Sequence, residues 1–151
     1  MAERVGGAPE WIPVTGLATA DVDRAEVERV AAQAGQPPLR WPDPFPFEAR
    51  TAALAATFAK GTGRAVAFSL AAMRQAFLAG RDLSVIDNVL LAAAACELHP
   101  RALLTAIETA GVADALEAAI ARAQAAGVSE LPAIVAGDRT WSGKDALGVD
   151  L

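Results

Sequence analysis

Between residues 47 and 126 the apolar positions recur every three or four residues, in blocks punctuated by glycine and proline. That period predicts amphipathic helices. The first covers Phe47–Lys60 and stops at Gly61. The second covers Arg64–Ala79, with Val66, Leu70, Met73 and Phe77 expected on its inner face, and Gly80 ends it. Ser84-Val85-Ile86-Asp87 has the form of a capping box. It opens a third helix to about Cys96, with Ile86, Val89, Leu90 and Ala93 inward. Pro100 suits a first helical position, with Leu103, Leu104 and Ile107 behind it. The last block, Val112–Ala126, turns Val112, Leu116, Ala119, Ile120 and Ala123 inward and stops at Gly127. Short links between such helices predict a compact bundle.

The flanks read differently. Met1–Pro9 is small, polar and Gly-rich, the composition of a mobile end. Glu10–Thr15 has strand character, but Pro13 lacks a donor and confines such a strand to an edge or bulge. Asp21 is expected to cap a helix over Val22–Ala34, with Val22, Ala25, Val30 and Ala34 on one face, and Gly35 stops it. Gln36–Phe47 holds five of the nine prolines, so helix and sheet interior are both disfavoured. It reads as a stiff connector with Leu39, Trp41 and Phe45 turned inward. After Gly127 the pattern becomes β-rich. Leu131–Ala136, a Gly137-Asp138 turn and Arg139–Trp141 predict a hairpin. Ser142–Asp145 is expected to cap a short helix toward Leu147.

Composition narrows the class. Apolar residues are 54% of 151 and charged residues 21%, so the chain is expected to fold as one domain. Alanine dominates and aromatics are 5%, which leans the chain helical. A net charge of −5 without a basic cluster argues against nucleic acid as a partner. One Cys and one His exclude a disulfide framework, a Cys/His zinc site and a CxxC pair within this chain. No apolar run reaches the roughly 18 residues of a membrane helix. The opening residues lack the apolar core of a signal peptide, so a cytoplasmic protein without membrane contact is expected.

Four segments occur in a telling order: Leu39-Arg40-Trp41-Pro42 with Pro44-Phe45-Pro46; Gly80-Arg81-Asp82-Leu83-Ser84; Gly127-Val128 followed by Leu131-Pro132; and Gly143-Lys144-Asp145-Ala146-Leu147. Together they resemble the DsbA-like thioredoxin superfamily, most closely its 2-hydroxychromene-2-carboxylate isomerase and kappa-class glutathione transferase branch. That branch reads L-R-W-P…F-P, G-R-D-I-S, G-V-F-G-V-P and W-G-x-D-R-L. The resemblance runs from about Trp11 to Leu147. It implies a mostly helical α/β fold: a thioredoxin-like part over 10–35 and 127–151 and a helical insertion over 47–126. The family opens with a strand and a helix that carries a catalytic Cys or Ser. Only nine residues precede Glu10 here, so the expectation is a truncated sheet with no catalytic residue of its own. Another chain then supplies that unit, or the catalytic function is lost.

The resemblance also assigns candidate site residues. Pro132 would be cis and face the cleft, leaving the backbone N–H and C=O of Leu131 to pair with an extended thiol peptide such as glutathione. Asp145 would accept hydrogen bonds from the ammonium of the γ-glutamyl end. The plainer readings are a strand start at Pro132 and a helix cap at Asp145. Ala146 stands where the family has Arg. Cys96 reads as core, His99 as a surface cap before Pro100, and Trp41 and Trp141 as core or cleft wall. Ser129 has no visible activating pair, and Gly61-Thr62-Gly63-Arg64 reads as a plain turn. A thiol-binding oxidoreductase or isomerase relative with weak or no activity alone is the leading expectation. The alternative is a non-catalytic scaffold or assembly protein. With the first strand missing, Trp11–Val14 and Leu131–Ala136 would present open edges, and a homodimer is expected. Pro13 weakens the N-terminal edge and shifts that contact to the C-terminal hairpin or a bundle face.

Overall fold

The computed structural model describes residues 9–19 and 22–148. Five consecutive helices form its centre: α2 (Arg50–Gly61), α3 (Ala65–Phe77), α4 (Ile86–Ala95), α5 (Pro100–Ile107) and α6 (Ala110–Ala125). Their ends fall within a few residues of the predicted blocks. The core is built on alanine, with Ala55, Ala56, Ala59, Ala71, Ala72, Ala76, Ala92 and Ala93 packed around Phe68, Val89 and Leu103. Small side chains let helix axes approach closely, and the large residues fill the remaining gaps. Phe68 is only 1% exposed, and burial of a side chain that size contributes roughly 1.5–3 kcal/mol. Arg50 of α2 bridges Glu117 of α6 at 2.8 Å across the surface of the bundle.

α3 corrects the pattern. The expected inner face of Val66, Leu70 and Met73 points to solvent, with Met73 53% exposed. Phe68, Ala71, Ala72 and Ala76 face the core instead. Both faces of this helix are apolar, so periodicity alone had no polar side with which to orient it. The capping box before α4 is also absent. Val85 takes the N-cap position without a side-chain bond. Asp82 organises the turn: its carboxylate accepts from Ser84 N and Ser84 Oγ, both at 2.7 Å, and its carbonyl accepts from Asn88 Nδ2 at 2.7 Å.

The N-terminal part attaches by few contacts. Glu10–Thr15 is irregular rather than a strand, and pairing occurs later, at β1 (Ala18–Thr19). Glu10 bridges Lys60 of α2 at 2.6 Å, and that hydrogen bond and charge hold its carboxyl below the usual range. The helix α1 (Arg24–Gln33) is capped by Asp23, whose carboxylate accepts from Glu26 N at 3.2 Å. Asp21, the expected cap, lies outside the described residues, as do Met1–Ala8 and the last three residues. α1 buries no residue, and Val22 and Val30 of the expected inner face are exposed, as is Val27.

The Pro-rich connector holds α1 in place. Trp41, Phe45, Phe47 and Phe77 form a chain of edge-to-face ring contacts at 5.0–6.3 Å. Arg24 lies 5.1 Å from the centre of the Trp41 ring and 5.4 Å from that of Phe45. Trp41 Nε1 donates to Glu28 Oε1 at 2.6 Å. The backbone of Arg40 donates to the carbonyl of Phe77 at 2.7 Å, which fixes the connector to the end of α3.

After α6 the β-rich run divides at Pro132. β2 (Glu130–Leu131) pairs parallel with β1, setting Ala18 opposite Glu130 and Thr19 opposite Leu131. β3 (Ala133–Ala136) pairs antiparallel with β4 (Arg139–Ser142) through the predicted Gly137-Asp138 turn. A 3-10 helix, Gly143–Gly148, follows directly. Thr140 Oγ1 donates to the Ala126 carbonyl at 2.6 Å, anchoring the hairpin to the end of α6. Among the described residues no helix is long and apolar enough to cross a membrane.

The Trp41–Glu28 bond is the most specific tie between α1 and the rest. Trp41→Phe and Glu28→Ala should each lower the unfolding free energy by about 0.5–1.5 kcal/mol. The double variant should lose little more than the larger single, in a urea-denaturation cycle. Fully additive losses would show that the two side chains act separately.

Candidate functional site

The C-terminal segments meet at one corner. The β3–β4 ladder continues past its last pair, so that Gly143 N donates to the Pro132 carbonyl at 2.8 Å. This bond sets the start of the 3-10 helix beside the Leu131–Pro132 step, whose peptide is cis. Gly143 sits at φ +58, in the left-handed region that favours glycine. Its missing side chain leaves room for Glu130, since a Cβ there would lie 2.8 Å from Glu130 Cδ. The corner therefore brings together Glu130, Leu131, Pro132, Gly143 and the helix that carries Asp145.

Leu131 is half-buried and Pro132 exposed, with β1 running beside Leu131. Asp145 is exposed, and among the described residues its carboxylate accepts no hydrogen bond. The expected Ser142–Asp145 cap does not form, because Ser142 is the last residue of β4. Ala146 is buried. The acidic side of α1 approaches the same helix. Glu26 is held below the usual carboxylate range by its hydrogen bond to Arg29, and the charge of Lys144 adds to the effect.

The other sequence candidates lie elsewhere. Cys96 is buried at the end of α4, where its thiol faces the carbonyls of Ala92 and Ala93 at 3.5 and 3.3 Å. Arg64 reaches the same helix end, donating to the Cys96 carbonyl at 2.8 Å, so its charge meets backbone and not the thiol. His99 occupies the N-cap position of α5 but makes no side-chain cap bond, which corrects the expected capping role. Trp41 belongs to the aromatic cluster, and Trp141 lies under Arg139, 4.8 Å from the ring centre. Ser129 is exposed and has no activating partner among the described residues. In the Gly61–Arg64 turn, the N–H groups of Thr62, Gly63 and Arg64 all donate to carbonyls of α2, which leaves none of them for an anion. No group of His, Cys, Asp and Glu among the described residues could hold a metal ion.

Glu130 was not singled out in the sequence, and Gly143 was quoted only as the first residue of the last family-like segment, without a role of its own. Glu130 precedes the Leu-Pro step with no periodic signal of its own. The glycine could have been flagged, because a glycine directly after a strand marks a backbone turn that other residues resist.

No family model matches the chain, and no curated protein matches it in sequence. Among solved structures it is similar to 2-hydroxychromene-2-carboxylate isomerase (TM-score 0.72, 17% identity). The match covers 82% of this chain and 60% of that one, so this chain spans less than two thirds of the isomerase's length. At that identity the likeness establishes the fold: a mostly helical, thioredoxin-like α/β arrangement with a small antiparallel hairpin.

Proposed function

We propose that this chain is a DsbA-like, isomerase-related protein that binds a small thiol such as glutathione at the Leu131–Pro132–Asp145 corner, with weak or no activity alone. The observation that carries this reading is the Gly143–Pro132 hydrogen bond. It brings the Leu-Pro step and the Asp145 helix together, and these are two of the segments in which the sequence resembles the family. A backbone edge at Leu131 and an exposed carboxylate at Asp145 suit the two ends of an extended γ-glutamyl peptide. The chemistry of the corner also supports weak activity. A thiolate is stabilised by nearby positive charge or a helix N-terminus. Among the described residues, the corner carries the carboxylates of Glu130 and Asp145 against the one cation Lys144, so it would offer a bound thiol no net positive charge. Binding would then occur without activation.

Titration with glutathione, read by tryptophan fluorescence or calorimetry, should show saturable binding at millimolar concentration or below. Asp145→Ala should weaken it about tenfold, the lower end expected for a charge-assisted hydrogen bond in an exposed site. No saturation, or an unchanged affinity in the variant with folding intact, would end this reading.

Cys96 should take no part in exchange. Disulfide exchange needs an accessible thiolate and a resolving thiol, and the one cysteine is buried. The native chain should react with a thiol reagent far more slowly than the unfolded chain, and should not reduce insulin. Rapid labelling of the native chain would contradict the placement of Cys96.

A further inference from the structure

We infer that the groove between α3 and the end of α4 binds a small aliphatic monocarboxylate, at a site separate from the thiol corner. The groove has a volume of about 250 Å³. Ala71 and Cys96, 8% and 6% exposed, form its floor, and Ala67, Leu70 and Ala95 form its sides. Its polar lining is Arg74 and Gln75 of α3. No acidic and no aromatic residue takes part in it.

Arg74 is the one charged residue of α3, and among the described residues its guanidinium has no carboxylate partner. Other cations are matched: Arg29, Arg50, Lys60 and Arg64 each meet a carboxylate at 2.6–3.2 Å. A guanidinium without a carboxylate, at the edge of an apolar groove, is complementary to an anion with an apolar body. Gln75 adds a side-chain amide that makes no hydrogen bond among the described residues. Arg81 N donates to the Gln75 carbonyl at 3.0 Å, which brings a second arginine to the same end of α3. The carboxylate of Asp82, next in the chain, is engaged by Ser84.

The groove also orients its ligand. Cys96 lies toward the start of α3, since Arg64 donates to its carbonyl at 2.8 Å. That end holds the carbonyl terminus of α4, whose partial negative charge disfavours an anion. The carboxylate head therefore meets the fork of Arg74, and the tail runs back along Ala71 and Ala67 toward Ala95 and Cys96. From Ala67 to Arg74 the helix rises about 10 Å, enough for a medium-length chain. A peptide suits this groove poorly. The backbone of α3 is bonded within the helix, and the apolar side chains offer a peptide's N–H and C=O groups no partner. An unbranched alkyl chain has no such groups to satisfy, and the alanines leave a narrow channel for it.

Calorimetric titration of the full chain with octanoate tests this, and does not depend on thiol binding. One saturable site with a dissociation constant at or below about 1 mM is expected. Arg74→Gln should weaken it about tenfold, with the helical circular dichroism unchanged. Ala95→Phe, at an exposed position, should fill the groove and abolish binding while Arg74 is intact. Butanoate keeps the head but loses most of the tail and should bind far more weakly. Octylamine, with the head charge reversed, should not bind. Asp145→Ala, in the thiol corner, should leave the octanoate affinity unchanged, as should Arg101→Gln on the exposed side of α5. Absence of saturation would overturn the inference, as would an unchanged affinity in Arg74→Gln or octylamine binding as tightly as octanoate. So would an equal loss in Arg101→Gln, the mark of a diffuse charge effect. Attachment to anionic lipid vesicles without uptake of free octanoate would also contradict it.

Discussion

The rest of the molecule depends on the close contact of α2, α3 and α4 through alanine. Ala55, Ala56 and Ala59 of α2 meet Ala71, Ala72 and Ala76 of α3 and Ala92 and Ala93 of α4, with Phe68 filling the centre. Close backbone approach is possible only while these side chains stay small. Enlarging one would force the helices apart, and overpacking of that kind typically costs about 1–3 kcal/mol. The centre is mostly helical, and Leu83 and Leu98 from the turns on either side of α4 complete it. No residue of β2, β3 or β4 is among the buried hydrophobic ones.

The strands and α1 are therefore fittings on a helical body, each fixed by a small number of identifiable contacts. Thr140 ties the hairpin to the carbonyl end of α6. Lys60 ties the N-terminal segment to α2. Arg24 and Glu28 tie α1 to Trp41. The candidate site lies in this outer part, where Gly143 and Pro132 join the hairpin to the last helix. A site built this way has backbone groups and carboxylates at hand but little buried environment to shift the chemistry of its groups. That agrees with binding more than with catalysis.

Much of this was legible in the chain. Helix existence and order follow from apolar spacing and glycine stops, and the hairpin from β-rich residues flanking Gly137-Asp138. The resemblance in motif order pointed to the fold that the structural likeness supports. Orientation was harder to read. α3 and α4 are apolar on both sides, so the Val66-Leu70-Met73 stripe looked like core although Phe68 was the residue that mattered. Capping was misassigned at α1, α4, α5 and the last 3-10 helix, because several polar residues stand near each helix start and only backbone geometry chooses which of them caps. α1 was expected to bury its valines, whereas polar contacts to Trp41 hold it. Ion pairs and aromatic contacts between residues distant in sequence leave no periodic trace. The Glu130–Gly143 fit is of the same kind, since it depends on two strands and a positive φ.

Native-state hydrogen exchange measured against denaturant tests the central division between helical body and outer fittings most directly. Amides of α2, α3 and α4 in the buried cluster should exchange only through global unfolding. Those of α1, β1 and β2 should open at clearly lower free energy and with smaller denaturant dependence. Uniform protection across all of these elements, rising and falling together with global stability, would contradict the account.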